Sequence, residues 1–461
     1  MPDSPATSAI ATRTLTTTTP TASTLPEVSA LLGTAVAALG GSERAGQVRM
    51  AQAVDKAIRT GVHLAVQAGT GTGKSLAYLV PAVRHAVESG DTVVVSTSTI
   101  ALQRQLIDRD LPKLADALRD KLGREPVFAI LKGRGNYLCL HRLRGDEPVE
   151  PDEELFDPFA VSALGRQVKR VHEWAADTET GDRDELVPGV PDQAWRQVSV
   201  SARECLGVTK CPVGADCFAE LARAEAGRAD VVVTNHALLA IDAIGGNPVL
   251  PEHAVVIVDE AHDLVDRVTS VATEELSAAT VSTATRRCSK LVDERVADRL
   301  AEAGDALTIA FGERPPGRID ALPEQLAQAL MTCRDAAHEC ISALGPSRRE
   351  DVADATARKL ALALLDQVHD TSARILASFE FPLPQRKDVV WLSGGGDSDR
   401  QPMLHVAPLS VGGLLRTRLF GRSTVILTSA TLALGGTFDA LARQWGLSPE
   451  STPPEPIEGM A

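Results

Sequence analysis

Short apolar runs alternate with segments of helical period along much of the chain. Each run ends in small or polar residues, as strands buried in a sheet do. The predicted strands lie at 64–66, 92–96, 127–131, 231–234, 254–258 and 425–428. Between them lie amphipathic stretches such as 75–88, which stops before Gly90. Strands that alternate with helices pair in parallel, so the pattern predicts an α/β fold with its functional site at the carboxyl ends of the strands.

The predicted strands are spaced too widely for a plain α/β sheet. A strand-helix-strand unit takes about 30 residues, yet the sheet pattern stops near residue 133 and resumes near 228. It stops again from about 264 to 400, where an alanine-rich, acidic sequence predicts helices interrupted by glycine and proline. The sequence therefore predicts a sheet domain that carries two inserted domains.

The predicted domain boundaries follow these interruptions. Residues 1–25 are rich in Thr, Ser, Ala and Pro and have no hydrophobic period, which predicts a disordered leader. The remaining parts, in chain order, are the sheet domain (26–132), a cysteine-bearing insertion (133–228), the sheet domain again (229–263), a helical insertion (264–400), the last part of the sheet domain (401–447) and a proline-rich tail (448–461).

Composition narrows the possible classes of protein. The 461 residues are 44% hydrophobic and 23% charged, as in soluble globular proteins of more than one domain. Neither a membrane span nor a secretory signal is evident, which predicts a cytoplasmic protein. A net charge of −14 argues against a protein that simply coats nucleic acid, although a basic groove remains compatible with it. Seven cysteines in such a chain favour metal ligation over a disulfide framework.

A glycine-rich turn joins the first predicted strand to the following helix. Its sequence is Ala68-Gly69-Thr70-Gly71-Thr72-Gly73-Lys74-Ser75. The glycines let backbone N–H groups turn toward phosphates, Lys74 is expected to reach the β- and γ-phosphates, and Ser75 is expected to bind Mg²⁺. Ala68 stands where the standard pattern has glycine. The turn predicts a nucleotide-binding loop.

An acidic motif follows the apolar run at 255–258. In Asp259-Glu260-Ala261-His262, Asp259 is expected to hold Mg²⁺ and Glu260 to deprotonate the water that attacks the γ-phosphate. His262 is expected to link the nucleotide site to the rest of the protein. Alone, these residues would be typical of an acidic helix start. Together with the glycine-rich turn they indicate ATP hydrolysis.

Two weaker motifs add to the nucleotide site. Arg44 and Gln47 precede the first strand, where the amide of Gln47 is suited to the adenine edge, although a surface helix would show the same residues. The strand at 425–428 is followed by Ser429 and Thr431, whose hydroxyls are suited to passing on a change at the γ-phosphate. A threonine-rich strand end is the simpler interpretation of that segment alone.

Four cysteines lie together in the first insertion, at Cys139, Cys205, Cys211 and Cys217. Four thiolates in a small domain suit an iron–sulfur cluster or zinc. The close Cys-x2-Cys pairs typical of zinc are missing. The residues themselves leave three alternatives, namely a cluster, zinc and structural cysteines without a ligand. The remaining cysteines, Cys288, Cys333 and Cys340, fall in helical sequence and are expected in a core.

Taken together, the motifs resemble the DinG branch of the XPD-like superfamily 2 helicases, over about residues 40–447. The resemblance rests on the segments already given and on four more stretches: VVVSTSTIALQRQL from Val93, LKGRGNYLC from Leu131, VVVTNHALL from Val231 and LTSATL from Leu427. It implies a RecA-like motor domain, a [4Fe–4S] cluster held by the four cysteines and a helical arch beside DNA.

The same resemblance implies a function. Such proteins use ATP and Mg²⁺ to translocate 5′ to 3′ on single-stranded DNA and to unwind duplexes, forks or DNA–RNA hybrids, commonly as monomers. Thr97, Thr99 and Gln103 would lie on the DNA path, where contacts to the backbone suit a motor that moves over any sequence.

The resemblance also implies a second motor lobe after the Ser-Ala-Thr motif, with the arginines that complete the ATP site. The 461 residues contain no candidate for it. We therefore expect either a truncated helicase or a motor whose other lobe lies on a separate chain. The alternative function is a module that binds nucleotide and single-stranded DNA with little ATPase or unwinding activity.

Overall fold

A computed structural model of the chain describes residues 25–69, 73–144, 158–245, 248–312, 314–345, 352–395, 400–433, 437–447 and 458–460. The predicted leader lies outside the described residues except for Leu25. Within these ranges the strands are β1 Leu64–Gln67, β2 Thr92–Thr97, β3 Phe128–Ile130, β4 Val231–Asn235, β5 His253–Asp259, β6 Glu274–Leu276, β7 Gly317–Arg318, β8 Asp388–Ser393, β9 Met403–Pro408, β10 Thr424–Ser429 and β11 Glu458–Met460.

The α-helices fill most of the sequence between the strands. In chain order they are Val28–Ala38, Ala45–Thr60, Lys74–Ser89, Ile100–Arg104, Leu111–Leu122, Leu140–Arg144, Pro158–Trp174, Asp192–Trp195, Phe218–Ala226, His236–Ile244, Leu264–Val271, Ala278–Cys288, Glu294–Phe311, Glu324–Leu344, Val352–Phe379, Gly412–Leu415 and Asp439–Gln444. None of these described helices combines the length and apolar character of a membrane span.

The main sheet is parallel throughout. Its strand order is β11-β1-β10-β5-β2-β4-β3. The valine-rich centres of β2, β4 and β5 are buried because helices pack on both faces, which explains why each is a continuous apolar run. The prediction of a parallel α/β sheet is confirmed.

The register of the sheet gathers the sequence motifs at one edge. Gln67 at the end of β1 pairs with Ser429 of β10, and Thr428 of β10 pairs with Asp259 of β5. Since all of these strands are parallel, their carboxyl ends face the same side. The glycine-rich turn, the acidic motif and the Ser-Ala-Thr motif therefore meet there.

The second insertion is more than a set of helices. Strands β6, β9, β8 and β7 form an antiparallel sheet that shares a core with the four helices between Ala278 and Phe379. The sequence predicted helices from 264 to 400 and a return to the main sheet from 401, yet β9 pairs with β8. The chain rejoins the main sheet at β10.

The first insertion connects two neighbouring strands, β3 and β4. It has a small core that includes Leu138, Val171 and Trp195, and its last helix, Phe218–Ala226, packs back against β3. Farther along the chain, β11 pairs in parallel with β1, within the segment that the sequence had predicted as a proline-rich tail. Residues 448–457 of that tail lie outside the described residues.

Candidate nucleotide site and cysteine centre

The phosphate-binding turn is placed between β1 and the helix Lys74–Ser89. Gly73 has φ 79° and ψ 31°, a left-handed conformation that favours glycine, and Lys74 follows as the first helical residue. Thr70, Gly71 and Thr72 lie outside the described residues. Ala68 is held to the neighbouring strand, since its backbone N–H donates to the Ser429 carbonyl at 3.0 Å. Ala68 and Gly73 therefore hold the two ends of the turn, and Gly69 follows Ala68.

Lys74 is paired with the acidic motif across the sheet edge. Its Nζ lies 2.9 Å from Glu260 Oε1 and 4.0 Å from Asp259 Oδ1. Partial burial alone would raise the pKa of Glu260, but the hydrogen bond and charge of Lys74 hold that pKa below its ordinary value. Glu260 is therefore ionised, as an acceptor of a proton from water must be.

A buried tyrosine that the sequence analysis did not single out joins the two expected Mg²⁺ ligands. Tyr78 Oη donates to Asp259 Oδ2 at 3.0 Å and is also hydrogen-bonded to the Ser75 side chain. Burial, followed by the Asp259 charge, raises the pKa of Tyr78, so the phenol keeps its proton. Burial likewise raises the pKa of Asp259. Within an apolar helix face Tyr78 looks like a core residue, and the sequence carries no other signal for it.

Glu260 has an uncommon backbone conformation. Its φ of 57° and ψ of 47° place it in the left-handed region, and it is the one non-glycine residue with positive φ in the described ranges. Such a conformation costs about 1–3 kcal/mol and is found disproportionately at functional sites. It turns the chain sharply between β5 and the short helix that begins at Ala261.

Ser429, one of the two expected coupling residues, contacts the acidic motif directly. Ser429 Oγ donates to Glu260 Oε2 at 3.0 Å, and His262 Nδ1 lies 2.8 Å from the same hydroxyl. The backbone N–H of Thr431 donates to Ser429 Oγ at 3.3 Å, while its own side chain is exposed. Glu260, His262 and Ser429 therefore form one network.

The two residues expected at the adenine have different environments. Gln47 is buried, and its Nε2 donates to the Gly73 carbonyl at 3.0 Å. In this arrangement its amide braces the phosphate turn. Arg44 is exposed at the start of the helix Ala45–Thr60.

The three residues expected on the DNA path also differ. Thr99 is exposed and caps the helix Ile100–Arg104, since its hydroxyl accepts from Leu102 N at 3.3 Å. Thr97 and Gln103 are buried, and both amide atoms of Gln103 are without a hydrogen-bond partner. DNA would reach these two residues only after a local rearrangement.

The four cysteines of the first insertion line one cavity together with Arg134 and other residues. Backbone N–H groups point at the sulfurs, with Gly207 N 3.3 Å from Cys205 Sγ, and Arg134 Nη1 lies 3.9 Å from Cys217 Sγ. Burial raises the pKa of Cys139 and Cys211, and the neighbouring cysteines add to the effect. Cys288, Cys333 and Cys340 are buried in the helical insertion, as the sequence predicted for core residues.

A buried lysine fixes the cysteine insertion to the main sheet. Lys132, just after β3, contacts Asp182 at 2.5 Å and Asp184 at 2.6 Å, and its side chain is 3% exposed. Its backbone N–H also donates to Tyr137 Oη at 3.1 Å. The sequence motif LKGRGNYLC contains this lysine but gives no indication of its partners, which lie some 50 residues away.

Comparison with known proteins agrees with the motifs. Residues 49–123 match the family described as DEAD/DEAH box helicase. The chain is 55% identical over 431 residues to ATP-dependent helicase DinG of Mycobacterium tuberculosis, a match that covers 92% of this chain and 65% of that protein. The predicted resemblance to DinG-like helicases is confirmed.

Two more distant proteins are also similar to this chain. ATP-dependent DNA helicase YoaA of Escherichia coli is 37% identical over 308 residues, covering 62% of this chain and 45% of that protein. A solved structure titled XPD_Helicase aligns with a TM-score of 0.47 at 16% identity, covering 88% of this chain and 61% of that one. The chain thus spans slightly less than two thirds of the length of its DinG relative.

Proposed function

We propose that this chain is the nucleotide-hydrolysing part of an ATP-dependent DNA helicase. The observation that carries the proposal is the meeting of Lys74, Asp259, Glu260 and Ser429 at one edge of a parallel sheet. These residues are the parts expected of a phosphoryl-transfer site. They are a lysine after a glycine-rich turn, an acidic pair, and a hydroxyl that is hydrogen-bonded to one of the two carboxylates.

In the proposed site, Lys74 moves from Glu260 to the β- and γ-phosphates when ATP binds. Ser75 and Asp259 would hold Mg²⁺, which would neutralise charge on the phosphates. Glu260, released from Lys74, accepts the proton of the attacking water. Gln47 and the backbone of the turn position the nucleotide, with Arg44 near the adenine.

The network of Glu260, His262 and Ser429 is proposed to pass the nucleotide state onward. Ser429 Oγ donates to the carboxylate that handles the water, and His262 contacts the same hydroxyl. A change in the charge or position of Glu260 therefore alters the hydrogen bonds at the end of β10. Thr431, two residues on, would carry that change toward the surface.

The cysteine centre is proposed to hold a [4Fe–4S] cluster through Cys139, Cys205, Cys211 and Cys217. The support for this proposal is that the four thiols line one cavity and that the chain resembles DinG-like helicases. The thiol donors, the N–H groups directed at sulfur and the cationic Arg134 suit an anionic group. When bound, a cluster would supply a rigid covalent crosslink within the insertion.

The DNA substrate is proposed from the resemblance to DinG-like helicases. Residues 26–132, 229–263 and the segment around β10 would form the motor domain, with the cysteine insertion and the helical insertion beside single-stranded DNA. Thr97, Thr99 and Gln103 would contribute to its path. Translocation from 5′ to 3′, and the opening of duplexes, forks or hybrids, are part of this proposal.

Steady-state ATP hydrolysis by the anaerobically purified chain, with and without single-stranded DNA, tests the proposal. The matched control is Lys74→Ala, which removes the phosphate-binding ammonium. Hydrolysis that rises with DNA in the wild type and disappears in the variant is the expected result. ATP and DNA binding without turnover would instead identify a binding module, and no ATP binding would contradict the proposal altogether.

A further inference from the structure

A buried histidine bridges the nucleotide site and the segment that leads to the proposed DNA path. His236 follows β4 and begins the helix His236–Ile244, and 1% of its surface is exposed. Its Nδ1 lies 2.7 Å from Ser96 Oγ at the end of β2. Its Nε2 lies 3.4 Å from the backbone carbonyl of Glu260 at the end of β5. One ring thus spans the ends of three neighbouring strands.

The surroundings of the ring fix its protonation and tautomer. Burial lowers the pKa of His236 to about 4, so the ring is neutral near pH 7. A carbonyl oxygen accepts but does not donate, so Nε2 carries the hydrogen and donates to Glu260. Nδ1 must then accept from the Ser96 hydroxyl. The contacts form a directional chain from Ser96 through the ring to Glu260.

The Glu260 end of this chain lies at the point where nucleotide is proposed to act. The bonded carbonyl belongs to the residue with the left-handed backbone, and the side chain of the same residue is held by Lys74 and Ser429. Withdrawal of Lys74 toward phosphates removes one of these restraints. Any resulting shift of the Glu260 backbone changes the hydrogen bond that the ring donates.

The Ser96 end leads directly to the proposed DNA path. Ser96 is fully buried and lies three residues before Thr99, the N-cap of the helix Ile100–Arg104. That helix continues without a break into a π-helical turn, Gln105–Asp110. Turns of this kind often mark functional positions in helices. The unpartnered amide of Gln103 lies on the same helix, which leaves this segment with an unsatisfied polar group.

We propose that His236 is a positioning residue that couples nucleotide binding at Glu260 to the conformation of residues 96–104, and thereby to affinity for single-stranded DNA. This inference rests on the proposed function. A residue that merely filled the core would need the ring's volume but neither of its nitrogens. Here both nitrogens face polar atoms of two different strands.

The test measures linkage between the two ligands. The affinity of the chain for a fluorescent oligothymidine is measured by anisotropy without nucleotide and with a magnesium complex of a non-hydrolysable ATP analogue. The affinity for a fluorescent form of the analogue is measured with and without the oligonucleotide. The two ratios must agree because coupling between sites is reciprocal.

Four variants test separately the contacts of His236 with Ser96 and with Glu260. Ser96→Ala removes one end, His236→Asn keeps a polar atom near Nδ1, His236→Gln keeps one near Nε2, and His236→Phe keeps the ring without nitrogens. The control is His63→Asn, because His63 is also buried in the main sheet but accepts from Val425 N at its other edge. Thermal unfolding shows which variants are folded.

The coupling is the ratio of DNA affinities measured with and without the nucleotide analogue. We expect each variant of Ser96 or His236 to bring this ratio at least about threefold closer to one, and His63→Asn to leave it unchanged. His236→Asn combined with Ser96→Ala should lose no more coupling than the larger single effect, because both act on one chain of contacts. A folded His236→Asn or His236→Gln protein with the wild-type ratio would overturn the inference alone. A wild-type chain that binds no DNA, or shows no linkage, would overturn it as well, and absence of DNA binding would also contradict the proposed function.

Discussion

Lys74 and Glu260 form an ion pair of 2.9 Å between the two motifs that are proposed to act on ATP. The phosphate-binding ammonium is thus bound to the proposed base. In the proposed function, nucleotide phosphates would compete with Glu260 for the same ammonium, so ATP binding would release the proposed base. The acidic motif would then respond to nucleotide before any larger movement.

Glu260→Gln should separate binding from hydrolysis. The amide keeps the size of the side chain but cannot accept a proton from water, so we expect ATP turnover to fall by about 10²–10⁴-fold. Nucleotide affinity should be equal or higher because Lys74 is no longer held by a carboxylate. Steady-state hydrolysis and equilibrium binding measure the two effects.

The matched control for this change is Glu252→Gln, which alters an exposed glutamate just before β5, at the other end of the strand. It should leave both quantities unchanged. Equal turnover by the wild type and Glu260→Gln would exclude Glu260 as the base.

Tyr78→Phe should weaken the response to Mg²⁺. The hydroxyl that joins Ser75 to Asp259 is lost, and the buried carboxylate loses a donor, which costs about 1–3 kcal/mol of stability. Because both expected ligands become less constrained, a higher Mg²⁺ concentration should be needed for half-maximal ATP hydrolysis. A titration of activity against Mg²⁺ measures this shift.

Tyr137→Phe is a suitable comparison for Tyr78→Phe. Its hydroxyl is also buried but accepts from Lys132 N beside the cysteine insertion. The variant should lose stability without a change in the Mg²⁺ titration. The same Mg²⁺ response in both variants would remove Tyr78 from the site.

Lys132→Met should destabilise the attachment of the cysteine insertion. It leaves Asp182 and Asp184 without their buried cation, and the loss of one partner from such a group costs about 3–5 kcal/mol. Lys169→Met alters an exposed lysine with a long contact of 3.9 Å to Glu173, so it should have almost no effect. Limited proteolysis and thermal unfolding compare the two, and equal stability would contradict the anchoring role of Lys132.

Cys205→Ser should remove the proposed cluster. Anaerobically purified wild-type protein is expected to be brown, with a broad visible absorbance and a matching content of iron and sulfide, and the variant is expected to lose both. Cys333→Ser, in the core of the helical insertion, should retain the colour. A colourless wild-type protein that contains one zinc would exclude the cluster.

Stability should fall in acid partly because of His236. Its pKa is lowered to about 4 in the folded chain, whereas an unfolded histidine binds a proton near pH 6.5. Between these values the unfolded state binds more protons, so the contribution is present above pH 6.5 and is lost as pH falls toward 4. The loss is about 3 kcal/mol at most. Unfolding of the wild type and His236→Asn between pH 7 and 4.5 should show a weaker pH dependence in the variant.

The main sheet was predictable because its strands are buried on both faces. A continuous apolar run such as 255–258 stands out in sequence, and parallel pairing places whatever follows it at one edge. The strands of the second sheet lack this signal. In β8 the buried positions alternate with partly exposed ones, and β7 is two residues long, so helical sequence on either side dominated the prediction.

The sequence predicted which residues belong to the site better than it predicted the contacts between them. Lys74, Asp259 and Glu260 belong to recognisable motifs, whereas Tyr78 and His236 lie in apolar helical sequence that is typical of a core. Their roles depend on which strands lie side by side, and strand order is not encoded in any local pattern. Lys132 shows the same limit, since its partners Asp182 and Asp184 become neighbours only in the folded insertion.

The strand order also has a consequence for synthesis of the chain. Among the described strands of the main sheet, β1, β2 and β3 pair only with strands that come later, the first of which is β4. As the chain leaves the ribosome, β2 and β3 therefore have no partner in this sheet until Val231 has emerged, after the whole cysteine insertion, and β1 has none until Thr424 of β10 has emerged. Exposed strands of this kind favour aggregation. We expect newly made chains to need protection by chaperones over this interval.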